Sequence, residues 1–151
     1  MLDRLPGRAG SDRPPTKQKS KFNHVASVIN MPYENTKFLY VNRGVLQVDG
    51  SINSNASVRG TLAGRGTVHG NVINNNFGTV MPGEASGGPG VLTVVQNYTQ
   101  AQYAHSMIQI AGSSTGDFSV LNVLGTANVS GYLKPVLLNA LSRRLVNRLR
   151  F

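Results

Sequence analysis

The sequence predicts an all-β solenoid, a run of short strands wound into stacked coils. Three observations point there. Of the 151 residues, 17 are Gly and 17 are Val, Asn is abundant, and only 14% are charged, against ~25% in an ordinary soluble domain. From about residue 37 onward, short β-branched segments are cut by Gly or Asn every few residues. The repeated unit is Gly, then a small or β-branched residue, then an apolar one. Lys, Glu and Ala, the residues that build surface helices, are scarce, which excludes a helical bundle or coiled coil. The length suits one domain.

The formal charge of +9 is concentrated at the ends. Arg4, Arg8, Arg13, Lys17, Lys19 and Lys21 outnumber Asp3 and Asp12 in residues 1–22. Lys134, Arg143, Arg144, Arg148 and Arg150 have no acidic neighbour in residues 134–151. Between them Lys37, Arg43, Arg59 and Arg65 balance Glu34, Asp49, Glu84 and Asp117. A nucleic-acid-binding domain would carry its basic stripe on the folded part, interleaved with aromatics, so nucleic acid is not the expected partner.

Residues 1–36 are expected to be a disordered basic tail. Pro6, Gly7, Gly10, Pro14 and Pro15 break any element, and dense charge buries nothing. Leu2, Leu5 and Ala9 do not supply the apolar run of a secretory signal. The segment 25–29 reads as a stray short strand. At the other end Leu138, Leu141, Leu145 and Leu149 fall at helical spacing with arginines between them, which predicts a short basic amphipathic helix over 139–151 that partly caps the last coil. No apolar run approaches the ~18 residues of a membrane helix.

The body, residues 37–138, is the expected solenoid domain. Gly44–Val48 is followed by the turn Asp49-Gly50, and Ser57-Val58 by Gly60-Thr61-Leu62. Gly66-Thr67-Val68, Gly70-Asn71-Val72, Gly78-Thr79-Val80, Gly90–Val95 and Gly125–Val129 continue the series. Gly admits the positive φ of a coil corner, and Asn tolerates it. Asn74-Asn75-Asn76 reads as such a corner, its amides capping exposed backbone. At about 20 residues per coil, about five coils fit, above the ~3 repeats a solenoid needs. The inward residues are expected to be Val68, Val72, Val80, Leu92, Val94, Ile108, Ile110, Leu121 and Val123. The spacing of the Gly-Thr pairs is irregular, and a sandwich of short strands is the competing architecture.

These segments also resemble a known family. Residues 60–72, GTLAGRGTVHGNV, are similar to the opening line of autotransporter-associated β-strand repeats. Residues 78–83 with 88–94, then Asn97–Gln100, Met107–Gly112 and Leu121–Leu133, resemble the family's later blocks in the same order, over about residues 60–138. The resemblance implies a right-handed parallel β-helix. Its usual setting is the passenger of a bacterial autotransporter or adhesin, at the cell surface or secreted, beside an outer-membrane barrel. This chain is shorter than a typical passenger, and its basic ends fall outside the matching blocks, so it reads as a fragment whose own export is open.

The residues offer little chemistry. Glu34, Asp49, Glu84 and Asp117 are at least 14 positions apart, with no pair spaced for acid/base work or calcium. Asp49-Gly50 is a turn pair, and Glu84 lies in a Pro-Gly loop. His24, His69 and His105 have no metal-ligand spacing, and His69 should point outward. With no cysteine, thiolate metal sites and cysteine nucleophiles are excluded. No Gly-x-Ser-x-Gly elbow or phosphate loop is present. Catalytic, cofactor and metal residues are therefore expected to be none. Tyr98, Tyr103 and Tyr132 could form a glycan-stacking surface, but stacking within the solenoid is favoured. The Asn-x-Ser/Thr triplets at Asn55, Asn97 and Asn128 are read as composition.

The expected function is a non-enzymatic structural and adhesive surface module, with a glycan or protein of a host or cell surface as partner. The alternatives are a carbohydrate-active β-helix enzyme remnant, whose acids would have to be gathered by coil stacking, and a tail-driven binder of nucleic acid or anionic surfaces.

Overall fold

The computed structural model describes residues 26–27 and 38–138. The expected disordered tail, apart from residues 26–27, and the expected C-terminal helix and cap lie outside the described residues.

Every described element is a strand, and each coil uses three of them. β1 is Ala26–Ser27. The first coil is β2 (Phe38–Val41), β3 (Val45–Val48) and β4 (Ser51–Ile52). The second is β5 (Asn55–Val58), β6 (Thr61–Gly64) and β7 (Thr67–Val68). The third is β8 (Val72–Asn74), β9 (Thr79–Pro82) and β10 (Val91–Val94). The fourth is β11 (Tyr98–Gln100), β12 (His105–Ile110) and β13 (Val120–Val123). β14 (Ala127–Val129) and β15 (Tyr132–Leu137) begin a fifth.

Each strand pairs with its equivalents one coil away, which produces three sheets: β1-β3-β6-β9-β12-β15, β4-β7-β10-β13 and β2-β5-β8-β11-β14. All these pairings are parallel. The architecture is the predicted parallel β-solenoid. The antiparallel hairpins of a sandwich are reduced to isolated bridges such as Glu84 with Gly88 and Ile110 with Phe118.

Alternation along each strand sends every second side chain inside, where it stacks on its equivalent in the next coil. One column runs Leu46, Leu62, Val80, and another Ile52, Val68, Val94. All six are fully buried. Val72 and Leu92 are buried as predicted. Leu121 and Val123 pack half-buried against this core.

β12 departs from the predicted alternation. Ser106 and Gln109 are its buried residues, and Ile108 and Ile110 are half-buried. The cause is geometric. β12 pairs with β15 along its whole length but with β9 only at His105 and Ser106, so on the β9 side its far half meets loop 83–90, to which Gln109 bonds.

The coils are unequal, which explains the irregular spacing in the sequence. The register advances 16 positions from Ala56 to Val72, then 26 from Val72 to Tyr98. From Tyr98 to Ala127 it advances 29, and most of the extra length is two loops, 83–90 after β9 and 111–119 after β12, both at the bend between the first and second sheets.

Candidate functional site

A solenoid presents its chemistry at its corners, because residues there stack from coil to coil outside the core. The three corners of this chain differ in kind.

The corner from the second sheet to the third is an amide ladder. Asn55 Oδ1 accepts both the backbone N–H of Asn71 at 2.8 Å and its Nδ2 at 3.0 Å. Asn71 Oδ1 accepts the N–H of Asn97 at 3.2 Å, and Asn97 Oδ1 the N–H of Thr126 at 2.9 Å. Each side chain satisfies backbone that a tight bend leaves unpaired. Asn55 and Asn97 thus brace this bend through their side chains. Asn128 lies exposed within β14. His69 is exposed at this corner, as predicted.

The corner from the first sheet to the second collects the described carboxylates, and stacking does not merge them into a reactive group. Asp49 accepts Gln47 Nε2 at 2.7 Å in the first coil. Arg65 takes the next coil and pairs its Nη1 with Glu84 Oε1 at 2.9 Å. Asp117 accepts the Ser114 N–H at 3.2 Å and so closes its own loop. Among the described residues no three His, Cys, Asp or Glu side chains gather to hold a metal ion. Loop 83–90 is held from both sides. Gln47 Oε1 accepts the Ala85 N–H at 3.2 Å, and Gln109 bridges Glu84 and Gly88.

The corner from the third sheet to the first carries Arg43, Arg59, Phe77 and Tyr103, one per coil, and all four are exposed. Backbone contacts fix the stacking. Arg59 N donates to Val41 O, Thr79 N to Gly60 O, and Phe77 N to Tyr103 O. A Cβ on Gly60 would run into Gly44 O and the Arg43 backbone, so only Gly lets these bends approach so closely. The rings of Phe77 and Tyr103 stack with centroids 6.1 Å apart and planes 11° apart. Phe77 is 76% exposed and has φ 68°, a conformation costly for an aromatic residue. Asn75 and Asn76 serve this bend as predicted: Asn75 Nδ2 donates to Ile73 O at 3.3 Å, and Asn76 Oδ1 accepts the Tyr103 N–H at 3.4 Å. Asn74 instead ends β8 and points into the core.

The three tyrosines separate accordingly. Tyr98 is in the core, whereas Tyr103 and Tyr132 are exposed. Tyr132 stacks on His105 of the preceding coil at 5.4 Å. Sequence reasoning passed over Arg43, Arg59 and Phe77. Their signal was present: each, like Tyr103, directly precedes a Gly or Ala that opens a first-sheet strand.

No protein-family model, curated protein or solved structure matches this chain.

Proposed function

We propose that this chain is a non-enzymatic structural and adhesive module of the bacterial cell surface, a rigid rod of the kind found in autotransporter passengers. The parallel solenoid carries this reading. It displays side chains in fixed rows along its length, and rows of that kind suit polyvalent contact with an extended partner. The ordered blocks over residues 60–138 support the same setting. The carboxylates support it too, since Asp49, Glu84 and Asp117 each close or brace a local bend.

Beads coated with the full chain should be retained on epithelial or bacterial cells under flow, in proportion to coating density. In parallel, the soluble chain is incubated with a panel of polysaccharides and assayed for new reducing or unsaturated ends. Retention without cleavage fits the proposal. Cleavage would replace it with the enzyme reading.

A further inference from the structure

We propose that the corner bearing Arg43, Arg59, Phe77 and Tyr103 binds an acidic polysaccharide laid along the axis of the solenoid. The proposal names a partner for the adhesive module and rests on that reading for its setting. Successive coils are one strand spacing apart, about 4.8 Å, which is close to the advance of one sugar ring in an extended chain. A row with one exposed residue per coil therefore meets successive sugars.

The four residues divide the work by chemistry. Arg43 and Arg59 are exposed in adjacent coils. Among the described residues the one ion pair is that of Arg65 and Glu84 at the neighbouring corner, and neither Arg43 nor Arg59 is held in another. A guanidinium offers paired N–H donors that match carboxylate or sulfate. Phe77 and Tyr103 follow with nearly parallel, exposed rings, whose apolar surface outside their mutual contact suits the C–H side of a pyranose. An exposed Phe held at positive φ costs folding energy, and a residue kept at that cost at an exposed bend is accounted for by what it contacts. The exposed amides of Asn76 and Gln102 flank the rings and suit hydroxyl groups. Two cations are few for a phosphate backbone, whose binding draws on many such contacts.

Binding is measured by calorimetry on the full chain with three probes: a polygalacturonate decamer, a heparin decamer and a single-stranded DNA decamer. Arg43→Ala with Arg59→Ala removes the charge. Phe77→Asn, which keeps a residue at ease with positive φ, and Tyr103→Ala remove the rings. Lys134→Ala with Arg148→Ala is the equal-charge control. Circular dichroism confirms folding of each variant.

The arginine pair should weaken saccharide binding about tenfold, the size of one charge-assisted hydrogen bond. Each ring variant should weaken it severalfold without changing its salt dependence, and the control should change it less than about twofold. Preference for one decamer identifies the anion as carboxylate or sulfate. Absence of saccharide binding, equal loss in the control, ring variants without effect, or tighter binding to DNA than to either saccharide would each overturn the proposal. If the beads still adhere after such a failure, the adhesive reading survives it. If the decamers bind as expected but the beads adhere to nothing, the site stands and the adhesive setting falls.

Discussion

Tyr98 and Ser106 meet hydroxyl to hydroxyl at 3.1 Å inside the fourth coil. Tyr98 OH also donates to Gln100 Oε1 at 2.8 Å, and Asn74 Nδ2 donates to Tyr98 OH at 3.3 Å. Tyr98 stands in the column that holds Ala56 in the second coil, Asn74 and Gln100 in that of Val58, and Ser106 in that of Leu62. The interior thus changes from apolar to polar along the rod, and most of its buried polar groups are paired with one another.

Burial pushes the Tyr98 hydroxyl above its ordinary value of 10.0, and the bonds with Ser106 and Asn74 only partly offset this. The fold selects the neutral phenol. Its stabilising contribution is whole below the unfolded value and is lost as pH rises through the higher folded value. Denaturant titrations from pH 8 upward should show stability falling above about pH 10. In Tyr98→Phe that part of the fall should vanish, with a cost of about 1–3 kcal/mol at neutral pH from the polar groups left behind.

Gly64 has φ 126°, and a Cβ there would run into the Val48 backbone one coil below. Gly64→Ala should destabilise the chain by about 3 kcal/mol, read as a lower urea midpoint. A midpoint unchanged from wild type would mean that the coils can part locally without cost.

Gln109 donates to Glu84 O at 2.8 Å and accepts the Gly88 N–H at 2.7 Å. Gln109→Leu keeps the volume and removes both bonds. The expected loss is about 1–3 kcal/mol. Limited proteolysis should find a new early cut within residues 84–90, and an unaltered digest would show that Gln47 and Arg65 suffice to hold the loop.

Asn71 makes side-chain bonds to Asn55, Gln96 and Asn97. Asn71→Ala should cost about 2 kcal/mol, and Asn71→Asp less, because it retains the acceptor for Asn97. The order of the two melting temperatures is the readout.

Ala127, Val129 and Leu133 stand in the inward columns of the fifth coil, yet Val129 is 65% and Leu133 69% exposed. Among the described residues no strand stacks on this coil, and a parallel edge lined with apolar groups invites association. Val129→Ser with Leu133→Ser should lower light scattering at high concentration and shift stability by no more than about 0.5 kcal/mol. Deleting residues 139–151 should raise scattering if that leucine-bearing segment shelters this end.

Strand placement and the solenoid class were legible in the sequence, because each rung needs an inward apolar residue and a bend that tolerates Gly or Asn. Val68, Val80 and Val94 were recognisable from that requirement alone. Coil length was not, since loops 83–90 and 111–119 are inserted at one bend while the flanking strands keep their register with the neighbouring coils. Nor was the burial of Gln109, which depends on a loop folding back over β12. The corner row had to wait for the structure for the same reason. Arg43 and Arg59 are 16 residues apart and Phe77 and Tyr103 are 26 apart in the chain, and no fixed period joins them. Backbone pairing between coils brings them into one row, and that pairing is decided by the fill of the interior columns, where a slip of one residue would turn every buried side chain outward.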